Sequence, residues 1–482
     1  MRQVKEISAQ VLTELPAVDL AEVDRLLSAE LARSKQKIVV LDDDPTGVQT
    51  VHDVSVYTDW SEESIRQGFA EPKRLFFILT NSRGFTVSQT TAAHREIAAR
   101  VAAAAREAGV DYLVMSRSDS TLRGHYPLET ELLRQGSEKA GLPVDGEILC
   151  PFFREGGRYT LDDVHYVRYG DRLVPAGETE FAKDATFGYR SSDLKDYIEE
   201  KTGGAYPACS VVSVGLEELR GMQLDQIEQK LLKVSGFGKV IVNAAAEEDI
   251  KIFCIALCRA MAKGKRFLFR TAAALVKVLG GVSDRPLLTR EEMIHQESRN
   301  GGVIVVGSHT QKTTRQLQAL QTLSGIVPVE FDSDLVLDEA AFAAETERAT
   351  RRIEEIIRSG RTAVAYTRRR LLTVENDTPQ DALLRSVKIS DAVQSLVGNL
   401  VETPLFVIAK GGITSSDVGT KALRVRRATV MGQIRPGIPV WKTGEESRFP
   451  GIPYVIFPGN VGEDTTLREA AEILMGTAAQ KN

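Results

Sequence analysis

Asp42, Asp43 and Asp44 stand directly behind the aliphatic run Ile38–Leu41, and the chain then turns at Pro45-Thr46-Gly47. Three adjacent carboxylates are costly at the end of a buried strand, because desolvation and self-repulsion both disfavour their charge. Acids in such a place need cations or hydroxyls beside them, and two further apolar runs are followed by both. Thr80-Asn81-Ser82-Arg83-Gly84 follows Leu75–Leu79, and Ser116-Arg117-Ser118-Asp119-Ser120-Thr121-Leu122-Arg123-Gly124 follows Tyr112–Met115. Arginine binds carboxylates bidentately, and Asp and Ser share hydrogen bonds with several hydroxyls. Arg83, Arg117, Asp119, Ser120 and Arg123 therefore suit a small ligand with one carboxylate and a few hydroxyls, while the arginines offset the charge of the aspartates. A single junction of this kind reads as a capped turn. Three that can converge beyond the carboxyl ends of the strands read as a site.

The C-terminal part of the chain carries another chemistry. Gly307, Ser308 and Thr310 follow one apolar run; Lys410, Gly411, Gly412, Thr414, Ser415 and Asp417 follow a second; Gly459, Asn460, Gly462 and Asp464 follow a third. Successive backbone N–H groups at a glycine turn leading into a helix form a nest for anions such as phosphate. No G-x-x-x-x-G-K-[ST] stretch occurs, so the loop is not of the Walker type. The six histidines and four cysteines show no metal-ligand spacing, and Cys254 and Cys258 read as helix core. His125 and His309 lie inside the site segments but are expected to be structural.

These residues need a scaffold that brings strand ends together. From Lys37 onward, strand-like runs ("KIVVL", "VSVYT", "RLFFILT", "YLVMS", "EILCPFF", "SVVSV", "KVIVNA") alternate with helical stretches, among them Ser88–Glu107, capped by Ser88 and closed at Gly109. A polar, Pro- and Gly-containing break spans Ser283–Gly302, after which the alternation restarts with "GVIVVGS", "TAVAYT", "LFVIAKGG" and "PYVIFPGN". The expected fold is α/β, with two domains at 37–285 and 300–482, each a mostly parallel sheet flanked by helices. Residues 1–36 form an N-terminal helical extension packing on the body or on a partner subunit. In it Asp19 caps a helix, with Glu22 three residues on and Leu20, Val23, Leu27 and Leu31 on one face. With 482 residues, two domains are the natural division. The formal net charge of −5 offers no footprint for nucleic acid, and no apolar run is long enough to cross a bilayer, so a cytoplasmic protein is expected.

The motifs "DDPTG" (43–47), "TNSRG" (80–84), "DSTLRG" (119–124), "GSHT" (307–310), "GGIT" (411–414) and "GNVG" (459–462) resemble, in order and distribution, the four-carbon acid sugar kinase family. Its members phosphorylate threonate, erythronate or oxo-tetronate acids with ATP. The resemblance runs from about Lys37 to the C-terminus. It implies an N-terminal acid-sugar-binding domain with Asp43, Asp44, Arg83, Asp119, Ser120 and Arg123 on the sugar. It also implies a C-terminal nucleotide-binding domain with Ser308, Gly411, Gly412, Thr414 and Gly459 on ATP. Many relatives carry Lys where this chain has Arg117. Many also have Lys-Ser-Gly-Asn where it has Phe457-Pro458-Gly459-Asn460, so Lys410 or Lys442 is expected to supply a cation near phosphate.

The expected reaction is ATP-dependent phosphorylation of the terminal hydroxyl of a sugar acid. Mg²⁺ would bridge the phosphates, and Asp43, Asp44 or Asp417 would accept the hydroxyl proton. Closure of the two domains would exclude water. The expected partners are sugar acid and ATP, with a homodimer as the assembly to test. The rival is a non-catalytic, two-lobed sugar-acid sensor. A nucleotide-dependent dehydrogenase is disfavoured, since no G-x-G-x-x-G follows the first strand.

Overall fold

Runs such as Ile38–Leu41, Leu75–Leu79 and Val303–Val306 do not alternate in polarity; they are apolar at every position, the pattern of strands buried on both faces. In a computed structural model, which describes residues 4–295, 298–370, 372–374, 377–459 and 461–477, each of them is a buried strand. The chain forms two units, one of Met1–Gly47 with Asp59–Asp284 and one of Val48–Thr58 with Arg285–Asn482.

The first unit holds an all-parallel sheet in the order β10 (Val212–Val214), β11 (Gly238–Val242), β6 (Gly146–Cys150), β12 (Phe267–Thr271), β5 (Tyr112–Arg117), β2 (Lys37–Asp42) and β4 (Leu75–Leu79). After β2 the next strand of this sheet is β4 on one side, whereas after β5 it is β6 on the other. The order therefore reverses between β2 and β5, the place where open α/β sheets bind ligands. A second, antiparallel sheet in the order β1 (Ile7–Ser8), β9 (Arg172–Pro175), β8 (Val164–Tyr169) and β7 (Arg158–Leu161) belongs to the same unit. Neither it nor β12 was expected from the sequence.

The N-terminal segment is less helical than expected. Helix Leu20–Arg33 is capped by Asp19, whose carboxylate accepts from the Glu22 N–H, as the spacing predicts. The preceding residues instead give β1 and a short 3₁₀ turn, Ala9–Thr13. Val23 and Leu27 are buried, but Leu20 is exposed. The helix packs on helix Glu247–Ala262, with Lys251–Asp24 and Arg259–Glu30 ion pairs at 2.8 and 3.1 Å. Helix Val87–Ala108 ends at Gly109, which adopts φ +63°, but its cap is Thr86 in a capping box with Gln89, not Ser88.

The second unit carries the order β3 (Val54–Tyr57), β17 (Arg427–Arg435), β18 (Ile438–Thr443), β19 (Pro453–Phe457), β16 (Val407–Lys410), β13 (Val303–Val306), β15 (Thr362–Thr367) and β14 (Ile326–Phe331). Strands β19 to β14 are parallel, and β3, β17 and β18 run antiparallel to their neighbours. The run "VSVYT", expected in the N-terminal domain, thus lies in this unit. Its ends are tied down by the Asp53 N–H on Val430 O at 2.7 Å and the Thr58 N–H on Arg426 O at 3.0 Å. Here the order reverses between β13 and β16. The core beneath is made by Ile304, Val306, Ile408, Val455 and Phe457 with Leu317 and Leu467 from flanking helices.

Candidate functional site

Asp42 is the last residue of β2, and the turn behind it folds back so tightly that a Cβ on Gly47 would lie 2.1 Å from the Asp42 carboxylate. Only glycine fits there. Arg117, the last residue of β5, donates through Nη1 to Asp42 Oδ1 at 2.8 Å and to Asp43 Oδ1 at 3.4 Å. Arg83 donates to both oxygens of Asp43, at 2.6 and 3.2 Å, and to Asp44 Oδ2 at 3.2 Å. Asp44 Oδ1 accepts from the N–H and the hydroxyl of Thr46, at 2.8 and 2.5 Å.

The three acids thereby acquire different characters. Burial pushes Asp42 up to about 7 against the pull of Arg117, with Asp43 and Asp44 adding to the rise. Burial also raises Asp43, in spite of Arg83 and Arg117. For Asp44 burial opposes ionisation, but Arg83, Arg117 and Thr46 outweigh it and hold the carboxyl below its usual range. Asp44 is also the one of the three that reaches solvent, its side chain 18% exposed against 3% for Asp43.

Behind them lies a buried ionic layer that the sequence reading missed. Ser82 Oγ donates to Glu129 Oε1 at 2.6 Å, and Arg270 Nη1 donates to Glu129 Oε2 at 3.3 Å and to the Ser118 hydroxyl. His94 Nε2 lies 3.7 Å from Glu129 Oε1. The available signal was a lone arginine inside the apolar strand Phe267–Thr271.

The loop after β5 is gripped along its backbone. Four consecutive carbonyls accept from side chains: Ser120 O from His165 Nε2 at 2.7 Å, Thr121 O from Tyr189 at 2.8 Å, Leu122 O from Tyr197 at 2.9 Å and Arg123 O from Arg270 Nη2 at 2.8 Å. Leu122 is held at φ +69°, a left-handed conformation unfavourable for a branched side chain. His165 sits on β8, its Nδ1 facing the Thr160 hydroxyl at 3.0 Å, and burial lowers it to about 4, so it is neutral. The unexpected antiparallel sheet therefore belongs to the site's support.

Within that loop Asp119 accepts from the Thr121 hydroxyl and from Arg123 Nε, the latter at 2.6 Å. Burial would raise Asp119, but Arg83 and Arg123 hold it well below the carboxylate range. Ser120 is buried beside it. Asn81, at φ +54° in the loop after β4, keeps its amide oxygen buried without a hydrogen-bond partner among the described residues; Arg117 Nε is likewise unpartnered. A buried polar atom left unmatched calls for an explanation, and a bound ligand or water is one. His125, by contrast, is satisfied by Phe85 O at 2.9 Å.

In the second unit the loops after β13 and β16 touch. A Cβ on Gly307 would lie 2.3 Å from Thr414 Oγ1, and one on Gly411, at φ +119°, would lie 3.2 Å from Ser308 Cβ. Ser308, Gly411 and Thr414 thus meet at the reversal point, with Gly412 opening helix Gly412–Asp417. Thr310 caps helix Gln311–Gln321, and Thr313 donates to Ser308 Oγ at 3.2 Å. Gly459 is open, with nothing within 4 Å of an added Cβ, whereas Gly462 at φ +82° abuts Thr466. Asn460 lies outside the described residues.

Neither lysine expected to face phosphate is placed to do so. Lys410 Nζ is buried and donates to Pro458 O and Gly459 O at 2.6 and 3.1 Å, 4.3 Å above the Phe457 ring. Burial, with Lys312 adding, lowers it to about 7. It shapes the loop after β19. Lys442 pairs in register with Pro453 at the start of β19, the opposite end from that loop. Arg369, just past β15, was missed: it donates to Ser308 O at 2.6 Å and to Thr314 Oγ1 at 2.9 Å, and its Nη1 is buried without a partner. His309 faces the Thr367 hydroxyl at 3.3 Å. Asp417 accepts from Ser390 and pairs with Lys421 at 3.1 Å.

Residues 38–279 match the family of sugar-binding N-terminal domains, and residues 303–467 match that of nucleotide-binding C-terminal domains. No protein of curated function matches the chain. Among solved structures, protein HI1011 of Haemophilus influenzae aligns over 90% of this chain and 100% of its own, at 17% identity and a TM-score of 0.58. A putative tRNA synthase of Salmonella typhimurium aligns over 91% and 99%, at 15% identity and a TM-score of 0.64. A Bordetella bronchiseptica protein of unknown function, solved with citrate as a domain-swapped dimer, is 21% identical over 91% and 98%, with a TM-score of 0.37. The likenesses to the Haemophilus and Salmonella proteins establish a shared fold. Among the described residues no helix is long and apolar enough to cross a membrane.

Proposed function

The chain belongs to the four-carbon acid sugar kinase family, and on that premise we propose that it transfers the γ-phosphoryl group of ATP to the terminal hydroxyl of a small, four-carbon sugar acid. The observation that carries this reading is the contrast between the two reversal points. One gathers carboxylates, hydroxyls and guanidiniums suited to a polyhydroxy acid; the other gathers glycine backbone and hydroxyls suited to phosphate.

Phosphoryl transfer through a loose transition state asks the protein for positioning and charge stabilisation more than for covalent chemistry. Asp44 is the acceptor we assign to the substrate hydroxyl. It is ionised, reaches solvent, and is aimed by Thr46 and Arg83. Asp43, clamped by Arg83 on both oxygens, sets the position of that guanidinium and of the turn. The unmatched Asn81 amide oxygen suits a second substrate hydroxyl. In the second unit Ser308, Gly411, Gly412, Thr414, Gly459 and Gly462 would line the phosphates, with Arg369 holding the Ser308 carbonyl in place. Mg²⁺, carried by the phosphates, would neutralise their charge. Use of ATP fits a cytoplasmic location.

The test is ADP release from ATP and Mg²⁺ with a panel of four- to six-carbon sugar acids. Stimulation by one or more four-carbon acids is expected. A protein that binds sugar acid yet releases no ADP with any of them would be a sensor, and this reading would be wrong.

A further inference from the structure

Besides Arg270, which holds Glu129 behind the aspartates, four guanidiniums surround the proposed acid-sugar site, and three of them already hold acids. Arg83 holds Asp43 and Asp44, Arg117 holds Asp42 and Asp43, and Arg123 holds Asp119 with Asp184 at 3.9 Å. The fourth is Arg158, the first residue of β7. Among the described residues its side chain makes no hydrogen bond or ion pair, and its Nε is buried without a partner. It stands 5.5 Å from the centroid of the Phe181 ring, and Arg123 stands 5.2 Å from the same ring.

Two cations on one aromatic ring repel each other, and Asp119, the acid nearest both, is already engaged by Arg123 and Thr121. Burial lowers the pKa of Arg158; Asp119 and Tyr169 oppose that and Arg123 adds to it. A guanidinium cannot escape this cost by losing its proton, because its pKa lies too far above neutrality. An added anion can relieve it. A carboxylate meets the planar fork of arginine with two parallel hydrogen bonds, and a phosphate does so equally well.

Resting on the kinase reading above, we propose that Arg158, seconded by Arg123 across the Phe181 ring, is the residue that reads the substrate's carboxylate, and so selects acids over neutral polyols. Arg83 and Arg117 are then holders of the aspartates rather than of the ligand. The antiparallel sheet supplies the selecting group as well as the grip on the loop after β5. Gly157, at φ +74°, turns the chain into β7 immediately before Arg158.

The test is calorimetric binding of erythronate, threonate and the neutral polyol threitol to the full chain and to its Arg158→Gln and Arg158→Lys variants. Melting temperature and ATP affinity serve as measures of fold. The wild type should bind at least one four-carbon acid well above threitol. Arg158→Gln should weaken that acid at least tenfold while leaving threitol and ATP unchanged, and Arg158→Lys should fall between, since lysine keeps the charge and loses the fork. Full acid affinity in Arg158→Gln overturns the assignment while the kinase reading stands. Equal losses for acid and polyol overturn it too, since Arg158 would then be shaping the site rather than reading charge. A wild type that binds no acid overturns both. If Arg158→Gln does not fold, acid affinity in Arg158→Lys decides: wild-type strength there overturns the proposal, and a selective loss supports it.

Discussion

The cluster Asp42-Asp43-Asp44 shows how adjacent side chains of one type acquire unequal tasks. Asp42 sits within the strand, Asp43 is clasped on both oxygens by Arg83, and Asp44 keeps contact with solvent. Replacing Asp44 by Asn preserves size and removes the charge that accepts a proton. It should lower kcat by ~10²-fold or more, the ordinary scale for loss of a general base, with a melting temperature within a few degrees of wild type. Replacing Asp43 by Asn instead strands a half-paired, largely buried guanidinium, and breaking such a pair costs about 3–5 kcal/mol. Thermal melts should therefore fall much further for Asp43→Asn than for Asp44→Asn. Equal melts would remove the distinction drawn between them. That these acids, Arg83, Arg117, Asp119 and Arg123 come together was legible from their places behind apolar runs. Which arginine holds which acid was not, because pairing depends on side-chain reach across neighbouring strands. Glu129, Arg270, Arg369 and Arg158 were illegible for a related reason: each lies in a stretch whose own pattern reads as strand, helix or surface.

At the scale of elements, the loop after β5 keeps its shape because four side chains hold four of its carbonyls, three of them from the segment around the antiparallel sheet and its following helix. His165 gives this grip a pH dependence. Its folded pKa, about 4, lies below the ordinary histidine value of 6.5. The unfolded chain therefore binds the proton more readily, and the stability His165 contributes is complete above pH 6.5 and lost as pH falls towards 4. At its limit the loss is roughly 3 kcal/mol. Chemical denaturation should find the wild type ahead of His165→Gln near pH 7.5, with the gap closing between pH 6.5 and 4. A gap independent of pH would mean that His165 is not a buried neutral imidazole. The parallel strands of both units announced themselves by unbroken apolar runs. Strands β7 to β9 did not, since "RYTL", "VHYVRY" and "RLVP" are short and mix arginine and histidine with their apolar residues.

For the molecule as a whole, the division into two α/β parts and the polar break between them were legible, because composition changes there over twenty residues. The assignment of Val48–Thr58 to the second unit was not, since "VSVYT" says that it is a strand and nothing of its partner. Without those residues the second unit would present β17 as a bare edge, and unpaired edges invite aggregation. A fragment of residues 285–482 should accordingly be less soluble and melt less cooperatively than the same fragment supplied with residues 48–58 as a tethered strand. Indistinguishable melts would mean that β3 adds nothing to the unit's stability. The same pairing has a meaning in time. Val54 leaves the ribosome 376 residues ahead of Val430, the residue it pairs with (430 − 54). At the ~5–20 residues per second of protein synthesis, that is a wait of roughly 20 to 75 s. Through that interval the growing polypeptide holds a sticky segment in reserve, so the hazard in making this protein falls early in translation rather than at its end.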